Sequence, residues 1–205
     1  MKTTGKFLGV FGLALLFSFG AIAGDYKIDK TKSTVKWTGK KVTGKHYGTI
    51  DLAQGTLTVK DDKIHSGSFE MNMESIVCED IKDESTNQKL VGHLKSDDFF
   101  SVDKHPVSKM ELKTVEHKGG NESSFTRPLT IKGVTHPVTF DAEADVSNGR
   151  LTSSGIIEVD RTLYDIRYGS GKFFDNLGDN MIYDTFSLDF NVVATETTGG
   201  GITQK

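Results

Sequence analysis

The sequence predicts an all-β fold: an eight-stranded antiparallel barrel with a short helical insertion near residues 85–102. Three observations lead there. With only 3 prolines and 22 glycines in 205 residues, and frequent Thr, Val and Phe, the composition favours strands and tight turns. Segment after segment alternates apolar and polar residues with period two, so each strand has one dry face. The connections are mostly short. Closing such a sheet on itself hides the dry face and removes the edges. A two-sheet sandwich satisfies the same alternation, but sequential hairpins and a lidding segment favour the barrel.

The strands follow in order. Thr34 to Thr38 places Val35 and Trp37 on one face. Tyr47 to Lys60 carries Ile50, Leu52, Leu57 and Val59, with Gly55 marking a bend or bulge. Asp61-Asp62-Lys63 is a turn, and Ser68 to Glu74 sets Phe69, Met71 and Met73 against Ser68, Glu70, Asn72 and Glu74. Ile76 to Ser85 reads as a charged loop. Leu90, Val91 and Leu94 then make one face of a short helix. Ser96 is placed to cap a second turn, with Asp97 and Asp98 at its start, delivering Phe99 and Phe100. Pro106 returns the chain to extended conformation. Met110, Leu112 and Thr114 alternate next. Phe125 to Ile131, Val138 to Ala144, Ile157 with Val159, and Phe186 to Val192 complete the set. Asn148-Gly149 is the strongest hairpin signal.

The N-terminus is read separately. Lys2 and Lys6 precede an apolar run, Phe7 to Phe17, too short to span a bilayer, and Ala21-Ile22-Ala23 fits a cleavage site. Residues 1–23 are expected to be a signal peptide cleaved after Ala23, residues 24–195 one domain, and residues 196–205 a flexible tail. The expected location is periplasmic or secreted. Removing Lys2 and Lys6 takes 25 Lys and Arg to 23 against 28 Asp and Glu, a formal charge of −5. With no basic block, nucleic acid is not an expected partner. Cys78 is the sole cysteine, so no internal disulfide forms, and Glu79 and Asp80 oppose a reactive thiolate.

Chemistry is sparse. Gly169-Ser170-Gly171-Lys172 lacks the spacing of a phosphate loop and reads as a Gly-rich connector. The six histidines form no local metal-ligand pattern. No frame holds a nucleophile and base, so no catalytic residue, metal or cofactor is expected. What stands out is the inward inventory: Trp37, Phe69, Met71, Met73, Phe99, Phe100, Leu112, Ile131, Phe140, Phe186, Leu188 and Phe190. Such a set either packs a core or lines a cavity.

Three segments resemble one family. Leu129-Thr130-Ile131-Lys132-Gly133-Val134-Thr135-His136-Pro137-Val138 is similar to a hairpin of the YceI-like family. His93 to Pro106, reading HLKSDDFFSVDKHP, resembles its "H-L-x-S-x-D-F-F" signature. Asp160 to Ile166 resembles a third segment. The likeness spans about Asp25 to Ala194. It implies a lipocalin-like barrel whose apolar pocket holds a long isoprenoid lipid, a polyprenyl diphosphate or an isoprenoid quinone. It also implies export to the periplasm, for transport, storage or stress response, and no established catalytic residues. Many relatives carry Arg-Asp just before the His-Leu, where this chain has Leu90-Val91, so no head-group role transfers there.

Burying carbon is worth about 0.8 kcal/mol per CH₂, and association costs on the order of 4–15 kcal/mol. A ten-carbon terpene, bringing roughly 8 kcal/mol gross, would bind weakly, whereas a longer tail would bind well. Arg161, Arg167 and Lys172 are the head-group candidates. The expected partner is that lipid, without stable membrane insertion; a homodimer is compatible with the same reading. The alternatives are a ligand-free structural or stress domain acting through its surface, and a hydrolase or isomerase on small apolar substrates.

Overall fold

A computed structural model describes residues 23–113, 116–119 and 122–197, so the segment read as a signal peptide, Ala23 apart, lies outside the described residues. The strands are β1 (Ala23–Ile28), β2 (Thr34–Lys41), β3 (Gly44–Lys60), β4 (Lys63–Cys78), β5 (Val107–Leu112), β6 (Glu116–Gly119), β7 (Glu122–Ile131), β8 (Val134–Ser147), β9 (Arg150–Asp160) and β10 (Ile182–Glu196). Helix α1 (Glu84–Lys95) joins β4 to β5, and a 3-10 turn, Arg161–Tyr164, follows β9.

Eight strands make the expected closed antiparallel barrel, in the order β2, β3, β4, β5, β7, β8, β9, β10. Closure comes from β10, which pairs with β9 over eleven positions and with β2 on its other side. That ring rules out the sandwich. β1 shares the slot of β2: it pairs with β3 and β10 where β2 has left off. β6 extends β7.

Three two-residue turns explain how the meander reverses. Asp61-Asp62, Lys132-Gly133 and Asn148-Gly149 all have positive φ at both positions, the turn whose twist matches paired strands. Each connects neighbouring strands, β3 to β4, β7 to β8 and β8 to β9.

Two expectations are corrected. The strand read as ending near Glu74 continues to Cys78. A bulge intervenes: Thr49 faces Val77, whereas Asp51 already faces Asn72. The extra residues shift the phase, so buried positions move from Met73 to Ile76 and Cys78, and the period-two alternation breaks there. Ser75 fills the gap by accepting the Asp51 N–H at 2.7 Å. Ser96, read as an N-cap, is instead the C-cap of α1, its N–H bonded to the Gly92 and His93 carbonyls. The helix itself begins at Glu84, close to the expected start, and its N-cap is Asp83, whose carboxylate accepts the Thr86 N–H.

The core is the barrel interior. Leu57, Leu112, Phe125, Leu129, Leu151 and Val159 are among its buried members. They come from alternate positions of successive strands, so the pleat itself separates a dry inside from a charged outside.

Candidate ligand-binding cavity

Inside the barrel lies a cavity of about 130 Å³. Its wall is built from inward rows on several strands: Phe69, Met71 and Met73 from β4, Met110 and Leu112 from β5, Leu129 and Ile131 from β7, Phe186, Leu188 and Phe190 from β10. Its two buried hydroxyls are already committed. Ser108 Oγ donates to the Thr130 carbonyl and Ser153 Oγ to the Glu143 carbonyl, each at 2.9 Å. Among the described residues, the lining contains no histidine and no carboxylate; its one charged residue is Lys109, whose Nζ is paired with Glu70 at 2.7 Å. A guest therefore meets mainly hydrocarbon, aromatic faces and thioethers.

Of the twelve lining candidates, Phe69, Met71, Met73, Phe100, Leu112, Ile131, Phe140, Phe186, Leu188 and Phe190 lie on the cavity wall. Trp37 and Phe99 do not. Trp37 sits two residues beyond the lining residue Val35, packs against the core, and donates its indole N–H to the Val77 carbonyl at 3.0 Å.

The adjacent phenylalanines divide. Phe100 faces the cavity and stands edge-on to Phe186, with ring centroids 6.1 Å apart. Phe99 is buried on the other side, between His93 at 5.0 Å and Tyr168 at 5.8 Å. The intervening turn dictates this. Ser96 O accepts from the N–H groups of both Phe99 and Ser101, Phe100 N–H bonds to Leu94 O, and Ser101 adopts a left-handed φ of 51°. Asp97 fastens the turn by accepting from Ser101 Oγ and from Lys104 Nζ.

The head-group candidates are engaged outside the cavity, Arg161 and Lys172 both beside Asp184. Arg161 is 3% exposed, and its guanidinium donates to the carbonyls of Tyr183, Ile166 and Ile182 at 2.8–3.1 Å. It lies 5.8 Å over the Phe99 ring. Burial pulls it below the ordinary arginine value, against Asp184 and Asp160, yet it keeps its proton. This is a clamp on the 161–183 segment, away from the cavity wall. Arg167 is exposed and paired with Asp165. Lys172 is half exposed, bridging Asp160 and Asp184. None of the three lines the cavity.

A buried cation does stand on an inward row of β7. Arg127 is 9% exposed, between Phe125 and Leu129, and its Nη1 donates to the Thr126 carbonyl at 2.6 Å. The alternation of β7 already contained that signal.

The three segments that carry the family resemblance meet at one end of the barrel. Lys132 Nζ donates to the Asp97 carbonyl at 2.8 Å and to the Asp165 carbonyl at 3.3 Å, joining all three. A Cβ on Gly133 would come within 2.9 Å of the His105 ring. His136 packs edge-on against Tyr164 at 5.5 Å. These motifs build the wall and end of the barrel, with Lys132 spent on backbone carbonyls and Asp97 on Ser101 and Lys104.

Fold and cavity together define a lipocalin-like class: a closed antiparallel barrel around a dry apolar interior. The YceI-like domain model matches residues 26–194, and the chain belongs to that family. Protein YceI of Shigella flexneri is 31% identical over 145 residues, 66% of this chain and 70% of that one. BcnA of Burkholderia cenocepacia shares the fold with a TM-score of 0.66 at 22% identity, covering 82% of this chain and 99% of that one. A polyisoprenoid binding domain from Saccharophagus degradans, implicated in plant cell wall breakdown, shares it with a TM-score of 0.57 at 14% identity, covering 84% and 98%. Among the described residues, no helix is long and apolar enough to cross a membrane.

Proposed function

We propose that this chain is an exported, non-enzymatic binding protein that buries the tail of an isoprenoid lipid inside its barrel. The observation that carries the reading is the apolar cavity in the barrel, whose wall offers mainly carbon and sulfur and whose hydroxyls are already bonded. Family membership and the polyisoprenoid binding neighbour support the same ligand class. A lining that offers no histidine or carboxylate among the described residues favours holding over hydrolysis.

Volume sets a condition on the ligand. About 130 Å³ is close to dry cavities that admit a benzene-sized guest, and below the roughly 300–1,000 Å³ of drug-sized pockets. A long tail must widen the interior. Met71, Met73 and Met110 are unbranched and can change rotamer at little cost. Phe100 can swing away from Phe186. Binding then selects a flexible, slender hydrocarbon over a rigid ring system.

Organic extraction and native mass spectrometry of the protein purified from its host test the proposal. An isoprenoid recovered in stoichiometric amount is the expected result. A protein that purifies empty and takes up no isoprenoid overturns it. Export is tested separately, by a mature N-terminus at Gly24.

A further inference from the structure

We propose that His46, Cys78 and Asp80 form a binding site for a thiophilic divalent cation of the zinc type. The site is independent of the lipid reading, because none of the three residues lines the cavity.

The fold assembles the donors from distant positions. His46 lies on β3, Cys78 ends β4, and Asp80 follows in the turn toward α1. Asp80 Oδ2 is 2.8 Å from His46 Nδ1, and Cys78 Sγ donates to Asp80 Oδ1 at 3.2 Å. All three ligand atoms lie within 4.8 Å of one another. Zinc holds nitrogen, oxygen and sulfur at about 2.0–2.3 Å, which places tetrahedral neighbours roughly 3.3–3.8 Å apart. A closure of about 1 Å therefore completes the shell.

The donor set is selective. Thiolate with imidazole and one carboxylate suits Zn²⁺ and Co²⁺, whereas Mg²⁺ and Ca²⁺ prefer oxygen alone. The Cys78 thiol donates to the Asp80 carboxylate, so the donors already face one another. On binding, a metal–sulfur bond forms and the Cys78 proton leaves to solvent.

Outer contacts fix the ligands. Tyr47 N–H donates to Asp80 Oδ1 at 2.9 Å, leaving Oδ2 to turn to the metal. Asn87 of α1 donates to the Cys78 and Ile81 carbonyls at 2.8 and 3.0 Å, holding the Cys-x-Asp turn. Cys78 is buried, but the His46 side chain is 36% exposed, so a cation enters from that side and a water completes the fourth position. A hydrogen-bonded staple would need no sulfur; a hydroxyl would serve.

The test titrates the full chain, reduced, with Co²⁺ and then Zn²⁺. The expected result is one equivalent of Co²⁺ bound with a sulfur-to-cobalt charge-transfer band, which Zn²⁺ displaces. Bound Zn²⁺ should slow alkylation of Cys78 by about tenfold or more. Cys78→Ser should abolish the band, and both it and His46→Gln should weaken Zn²⁺ binding by about tenfold or more. Two results overturn the site: no charge-transfer band and no protection of the thiol in the unaltered chain, or a Cys78→Ser variant that binds Zn²⁺ as tightly as that chain. The cobalt and alkylation measurements need no variant, so they decide the matter even if Cys78→Ser fails to fold.

Discussion

Phe100 and Phe186 meet edge to face at 6.1 Å on the cavity wall, and Phe99, the next residue along, has no part in that contact. One turn thus sends two identical side chains to different tasks. Phe99→Ala should cost about 3–5 kcal/mol of stability, measured by denaturant unfolding. Phe100→Ala should cost less and should speed release of a bound isoprenoid. Equal release rates for Phe100→Ala and the unaltered protein would make Phe100 ordinary packing.

Two glycines are predicted to respond in opposite senses. A Cβ on Gly48 would lie 1.9 Å from the Val77 carbonyl oxygen, which is backbone and cannot rotate away. Gly48→Ala should therefore destabilise by about 1–3 kcal/mol or more. Gly92 is inside α1 with nothing within 4 Å of the same position. Gly92→Ala should stabilise by up to about 1 kcal/mol. Thermal unfolding of the pair checks both signs.

Tyr164 is fully buried, and its hydroxyl has no hydrogen-bond partner among the described residues. Burial, reinforced by Asp160, pushes its pKa up to about 12. Tyr164→Phe removes an unsatisfied group whose burial costs on the order of 1–3 kcal/mol, so the variant should be at least as stable as the parent. A clear drop in unfolding midpoint would reveal a partner for the hydroxyl.

Asp80 should contribute acid sensitivity. Burial opposes its ionisation, but the Tyr47 N–H, His46 and Cys78 outweigh this and hold its pKa at about 2, from 3.8. A carboxylate depressed on folding stabilises above its unfolded pKa and loses that contribution as pH falls through the folded value. Stability should fall between about pH 4 and pH 2, by on the order of 1 kcal/mol after allowing for solvent screening. Asp80→Asn should lack this component and be weaker at neutral pH. Unfolding curves in metal-free buffer across that range measure the difference.

The barrel was legible because period-two alternation survives wherever a strand is regular. β8 and β10 read cleanly for this reason, and the Lys132-Gly133 and Asn148-Gly149 turns gave their own chemistry. The end of β4 was hidden because a bulge changes phase without changing composition. Ser96 was misassigned because a serine followed by two aspartates looks like a helix start, whereas its N–H and hydroxyl close one by donating to the Gly92 and His93 carbonyls. Arg161 offered a charge without an address: only the folded chain brings the Ile166, Ile182 and Tyr183 carbonyls around it. The His46, Cys78 and Asp80 grouping was equally invisible, since β3–β4 pairing creates it across more than thirty residues.

The placement of β10 has a consequence for how the chain acquires this shape. β10 pairs with β9, its sequence neighbour, but also with β1 and β2, so residues such as Ile28 and Ala194 become partners. Until β10 docks, the wall is an open sheet with two raw edges and a wet interior. The loop-closure entropy of joining first to last strand must be met before most of the core is enclosed. Folding should thus be slow relative to hairpin formation, with the enclosed interior appearing in the final, most cooperative step.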